Sequence, residues 1–195
     1  MNYLSHLYLS TRTPESFTGN LMGDFKPSLA LQAQLPQGIK AGIENHRLVD
    51  RLTDKFQPVK ALRTQFSKQR RRYAGIITDI AFDYYLIKHW DAFEDIAFSD
   101  FTQDAYRGLA QCQKWMPERM AWVTQQMRHH DWLSSYADLT GISQSIDQVS
   151  KRLRFANNMA GGISEVENLY GEIEAVFLEL FEYLRIEVED AKLEI

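Results

Sequence analysis

The chain contains a single cysteine, Cys112, in 195 residues. A disulfide framework within the chain is thereby excluded, as is a zinc site built on several thiolates, and a cytoplasmic setting is expected. Glycine and proline are also scarce, at 10 and 5. No apolar run approaches the roughly 18–20 uncharged residues of a membrane span, so no membrane association is expected. The opening "MNYLSHLYLSTRTPES" lacks a basic leader ahead of a continuous apolar core, which argues against secretion. Excess positive charge is missing too: a net charge of -4 disfavours a general nucleic-acid binder with a basic surface.

What is present is helical patterning. Apolar residues make up 45% of the chain and recur at spacings of three and four, which predicts an all-α chain folded as a single compact helical domain over 1–195. Pro14, Pro36, Pro58 and Pro117 stand where helices should begin. Helices are expected over about 2–11, 14–24, 36–55, 58–71, 73–90, 100–115, 117–130, 140–155 and 164–190. In the last of these, Ile173, Val176, Phe177, Leu180, Leu184 and Val188 form a stripe expected to be buried, with ten acidic residues between Ser164 and Ile195.

Several polar residues interrupt such stripes. In "GIENHRLVDRLTD", Ile39 and Ile43 lie on one helical line with His46, Asp50 and Asp54, as if a core face ran into a site. The ordinary alternative buries Leu48, Val49, Leu52 and Phe56 and leaves the polar line in water. "IITDIAFDYYLIKHW" repeats the pattern with Asp79 and Asp83 on an apolar helix. Two buried carboxylates must be neutralised by a partner, a proton or a metal. Asp24 in "GNLMGDF" follows another apolar run, and Gly23 beside it permits close approach of some other group. His6 lies within "YLSHLYL". Each residue alone suits a core hydrogen bond or a helix cap. Together, the imidazoles of His6 and His46 and the carboxylates of Asp24, Asp50, Asp79 and Asp83, without thiolates, suit Mn²⁺, Fe²⁺, Mg²⁺ or Zn²⁺, with Asp54 expected in water. The literal His130-Asp131 pair in "MRHHDWLSSY" sits at an expected helix end and is expected outside the site.

Charge is segregated as well. Between Asp54 and Asp79 there is no acidic residue, whereas Lys55, Lys60, Arg63, Lys68, Arg70, Arg71 and Arg72 form a basic patch.

In the order and spacing of "MNYLSHLYLS", "GNLMGDF", "GIENHRLVDRLTD" and "TDIAFDYYLIKHW", the sequence resembles the acyl carrier protein phosphodiesterases, all-α enzymes grouped as distant, non-standard HD phosphohydrolases. The resemblance is carried mainly by residues 1–90. It implies an HD-phosphohydrolase-like bundle that releases 4'-phosphopantetheine from holo acyl carrier protein with a divalent metal, Mn²⁺ ahead of Mg²⁺ or Fe²⁺. It carries over onto His6, Asp24, His46, Asp50, Asp79 and Asp83. His6, Asp24, His46, Asp79 and Asp83 are then expected to hold the metal. Asp50 is expected to orient the water or a ligand imidazole, and Arg47 to touch a phosphate oxygen. Tyr8 and Tyr84 stand where some members carry histidine, which affects the ligand set. Arg63, Lys68, Arg70, Arg71 and Arg72 become a docking surface for the acidic carrier. Two other readings are an HD-type phosphohydrolase acting on a nucleotide or other small phosphoester, and a non-catalytic helical interaction module.

Overall fold

The spacing of apolar residues resolves into thirteen α-helices, with no strand, among residues 1–153 and 155–194 described by the computed structural model. The first half comprises α1 (Tyr3–Tyr8), α2 (Pro14–Met22), α3 (Leu29–Gln34), α4 (Gln37–Lys55), α5 (Gln57–Gln65) and α6 (Ala74–Lys88). The second comprises α7 (Trp90–Phe93), α8 (Phe98–Gln111), α9 (Glu118–His129), α10 (Trp132–Ser135), α11 (Leu139–Arg152), α12 (Ile163–Asn168) and α13 (Tyr170–Ala191). None of the described helices is long and apolar enough to cross a membrane.

Local chemistry accounts for several boundaries. Thr13 caps α2 by accepting from the Ser16 amide, with Pro14 in the first turn, and Asp138 caps α11 by accepting from Gly141. Pro36 and Pro117 are themselves the capping residues of α4 and α9. The expected helix over 164–190 is divided at Leu169 into α12 and α13. The short helices α3, α7 and α10 span less than two turns each, too little for a periodic signal. Arg154, inside the expected helix 140–155, lies outside the described residues.

One apolar core runs through the bundle. Helix α13 contributes Ile173, Phe177, Leu180 and Leu184, all fully buried, and packs on α4, α5 and α6. Val176 and Val188 are only partly covered. The closest helix pair is α2 with α4: a Cβ on Gly19 would meet the Ile39 carbonyl oxygen at 2.3 Å, so the two backbones pass at a distance only glycine allows. This crossing, with α1 and α6 on its flank, frames the polar site.

Candidate metal centre

Helix α4 buries Ile39, Ile43, His46 and Val49, so the apolar line does run into a polar one, and His46 is only 4% exposed. Leu48 and Leu52 are only partly buried, and Asp54 is exposed. The residue that needs the space beside Asp24 is His46: a Cβ on Gly23 would fall 2.1 Å from its Cδ2 atom.

The backbone carbonyl of Asn20 lies 2.7 Å from His46 Nδ1. A carbonyl oxygen can only accept, so Nδ1 carries the proton and donates, which leaves Nε2 as the ring nitrogen turned toward Asp50. Asn20 is itself anchored: its side chain accepts from Asn45 at 3.0 Å and donates to Glu194 at 2.8 Å. His6, fully buried on α1, stacks on His46 with ring centroids 3.9 Å apart. Asp50 lies between them, with Oδ1 3.2 Å from His6 Nε2 and Oδ2 3.2 Å from His46 Nε2. Donor atoms of His6, His46 and Asp50 all fall within 4.8 Å of one another.

Asp24 and Asp79 edge this cluster. Asp24 Oδ1 is 3.8 Å from His46 Nε2, and the Met1 amino group lies 3.4 Å from Asp50 Oδ1 and 3.5 Å from Asp79 Oδ2. Arg63 approaches Asp79 at 3.7 Å and donates to Asp54 at 2.9 Å. Burial pushes His6 down to about 3, so its ring is neutral at physiological pH. Burial alone would raise the Asp50 carboxyl, but His46, His6 and the Met1 amino group together outweigh it and hold the group well below the usual carboxylate range. Burial raises Asp24 and Asp79, opposed by His46 for Asp24 and by the Met1 amino group and Arg63 for Asp79.

The donor set fits a divalent cation. Both ring nitrogens of His6 and Oδ1 of Asp79 are buried without a hydrogen-bond partner. The neighbouring ligands are imidazole and carboxylate, the set favoured by Mn²⁺, Fe²⁺ and Zn²⁺.

Three expectations take a different form. Asp83, expected beside Asp79 as a ligand, accepts from Asn2 Nδ2, the Leu4 and Ser5 amides and Ser5 Oγ at 2.6–3.0 Å. It neutralises the start of α1, whose first amides have no partner within the helix. Asp50, expected to act from outside the ligand group, has a carboxylate oxygen clustered with the donor atoms of His6 and His46. Arg47, one residue beyond His46 and so about 100° around the helix, is exposed and pairs with Glu44 at 2.5 Å. It does not turn toward the cluster.

The basic patch divides. Arg63 belongs to the rim of the site, and Arg70 is tied to the Asn158 and Ala160 carbonyls at 3.1 Å and to Glu165 at 3.6 Å. Lys68, Arg71 and Arg72 are exposed. Asp131 accepts from Tyr106 at 3.0 Å, apart from the His6–His46–Asp50 cluster. Its neighbour His130 lines a groove that Asp24 also borders, nearer the site than expected. Tyr8 donates to the Phe93 carbonyl at 3.0 Å and Tyr84 pairs with Tyr170 at 2.8 Å, so both tyrosines are engaged elsewhere. Sequence reasoning missed Asn20, although it stands in the same "GNLMGDF" as Asp24, because its contact to His46 is made by the backbone.

Residues 1–184 match the family model described as acyl carrier protein phosphodiesterase. A protein of that name from Serratia proteamaculans (strain 568) is 31% identical over 194 residues, covering 99% of this chain and 100% of the relative. Another from Yersinia pestis is 32% identical over 182 residues, covering 93% and 94%. No solved structure matches the chain.

Proposed function

Because the chain belongs to the acyl carrier protein phosphodiesterase family, a family of hydrolases, we propose that it hydrolyses the phosphodiester joining 4'-phosphopantetheine to the serine of holo acyl carrier protein. The products are apo carrier and free 4'-phosphopantetheine. The whole chain acts as one HD-phosphohydrolase-like catalytic unit in the cytoplasm. The observation that carries this reading is the convergence of His6, His46 and Asp50 from α1 and α4, with His46 fixed in the tautomer that offers Nε2.

His6, His46 and Asp50 would hold the divalent ion, Mn²⁺ ahead of Mg²⁺ or Fe²⁺, with Asp24 and Asp79 completing the set from the rim. Such an ion supplies charge neutralisation for the phosphoryl oxygens and lowers the pKa of water. The protein's own residues do the rest. Asn20 fixes the His46 ring through its carbonyl, and Asp50 sets the two imidazoles against each other. Arg63 steadies Asp79. Asp83 acts at one remove, by holding the start of α1 so that His6 faces His46. The exposed Lys68, Arg71 and Arg72 orient the acidic carrier by long-range attraction.

The test is incubation of the purified protein with holo acyl carrier protein and Mn²⁺, followed by mass spectrometry of the carrier, with a chelator in a parallel sample. Conversion to the apo mass that stops with the chelator is expected. An unchanged carrier, with a small phosphodiester hydrolysed instead, would refute the carrier as substrate.

A further inference from the structure

A groove of about 430 Å³ starts at Asp24 and runs between the beginning of α1 and the exposed face of α11. It is separate from the larger cleft near the chain ends, which is bordered by Arg12, Glu94 and Arg185. Its volume is that of a small-molecule site, typically about 300–1,000 Å³. One wall is built by α11, where Gly141, Gln144, Ser145, Gln148 and Arg152 follow the three-four spacing of a single helical face. Tyr3 and Trp132 supply aromatic surface across from it.

The composition is selective. Gln144 and Gln148, one turn apart and both exposed, each offer a carboxamide that can donate and accept. A ligand that brings amides into a partly dry groove needs such partners, because an amide stripped of water and left unpaired is costly. Aromatic surface beside them suits a branched aliphatic segment. Arg152, on the same α11 face, makes no ion pair among the described residues and borders the groove together with Asp24. Tyr3 feels both groups: burial and Asp24 raise its phenol, and Arg152 opposes them. A free cation thus borders the same groove as Asp24, which lies 3.8 Å from His46 Nε2.

We propose that this groove is the subsite for the pantetheine arm, a flexible chain with two amides and a geminal dimethyl group, and that Arg152 contacts its phosphate. The assignment rests on the reading of the chain as a phosphopantetheine-releasing phosphodiesterase. The carrier protein then docks on the opposite side of the scissile bond, and the groove determines which prosthetic arm is accepted.

Calorimetric titration in the presence of Mn²⁺, with 4'-phosphopantetheine and with pantetheine lacking the phosphate, tests this. Ser145→Trp, which fills the groove, should weaken both ligands at least tenfold. The Gln144→Ala/Gln148→Ala double variant, confined to exposed side chains and so safe for folding, should weaken both by several-fold. Arg152→Ala should weaken 4'-phosphopantetheine at least fivefold and leave pantetheine unchanged. Trp122→Ala, exposed and outside the groove, should bind as the wild type does. Thermal melts check that each variant is folded. Equal affinities across the folded groove variants, or no binding by the wild type, would overturn the subsite. A wild type that cleaves holo carrier while the groove variants bind normally removes the subsite and leaves the function standing. Groove-dependent binding by a protein that leaves holo carrier intact supports the subsite and removes the proposed function.

Discussion

Helices α4 and α6 each place polar residues four apart on an otherwise apolar face, and the two pairs meet different partners. On α4, Asp50 turns to two imidazoles at 3.2 Å, one of them His46 of its own helix. On α6, Asp83 turns to the start of α1 and accepts four hydrogen bonds, while Asp79 faces the Met1 amino group and Arg63. Four neutral donors satisfy Asp83 fully, leaving no lone pair directed at a cation. Asp50 faces the His6 ring, whose two nitrogens are buried without a hydrogen-bond partner, and that unsatisfied chemistry is what marks a candidate metal centre.

The contrast predicts that the two helices respond differently to mutation. The largest effect is expected at the α4 pair: Asp50→Ala or His46→Ala should lower turnover of holo carrier by ~100-fold or more, since the proposed ligand set loses a member. Circular dichroism should show the helical fold retained. Near-normal turnover in either variant would remove the cluster from catalysis.

Asp83→Ala should act first on stability. It strands the Leu4 and Ser5 amides, at a cost of about 2–4 kcal/mol, which for a chain of this size is roughly a 5–15 °C fall in Tm. Asp83→Asn should recover part of the loss. The same site gives a pH signature. Burial pushes the Asp83 carboxyl from 3.8 up to about 6, against the opposing hydrogen bonds of Ser5 and Leu4. Between those values the native state holds a proton that the unfolded chain has released, so this group's contribution is full below about pH 4 and declines as pH rises through 6. The stability advantage of wild type over Asp83→Asn should therefore shrink from pH 4 to pH 6 in denaturant titrations.

Gly23→Ala is expected to be intermediate. The added methyl would collide with the His46 ring, so turnover should drop ~10-fold or more as the ring is displaced, with a smaller change in Tm. The smallest effect belongs to the basic surface. Lys68→Glu/Arg71→Glu/Arg72→Glu should lower kcat/KM for the carrier a few-fold and flatten its salt dependence. Arg70 is left out of that set because its contacts to Asn158, Ala160 and Glu165 make it part of the fold. Hydrolysis of a small phosphodiester should be far less affected by the triple variant.

The all-α class, the long helices and the polar line of α4 were legible in the sequence because they are repeated every few residues. The relation of Gly23 to a close neighbour was legible too, although the neighbour, His46, was not. The difference between Asp50 and Asp83 was not legible, because both obey the same spacing and the partners that set them apart, His6 for Asp50 and the start of α1 for Asp83, lie 40 or more residues away. Arg47 and Arg70 show the same limit: charge and position along the chain do not reveal whether an arginine faces solvent, a carbonyl or a phosphate. Asn20 acts through its backbone carbonyl, which no side-chain pattern records.

The most direct test of the metal centre is Mn²⁺ binding to the purified protein, followed by electron paramagnetic resonance as the free-ion signal is lost. Wild type and Asp83→Asn should bind one or more ions with similar affinity, whereas Asp50→Asn should bind at least tenfold more weakly. Undiminished binding by Asp50→Asn together with lost binding by a folded Asp83→Asn would reverse the roles assigned to the two helices and contradict the account.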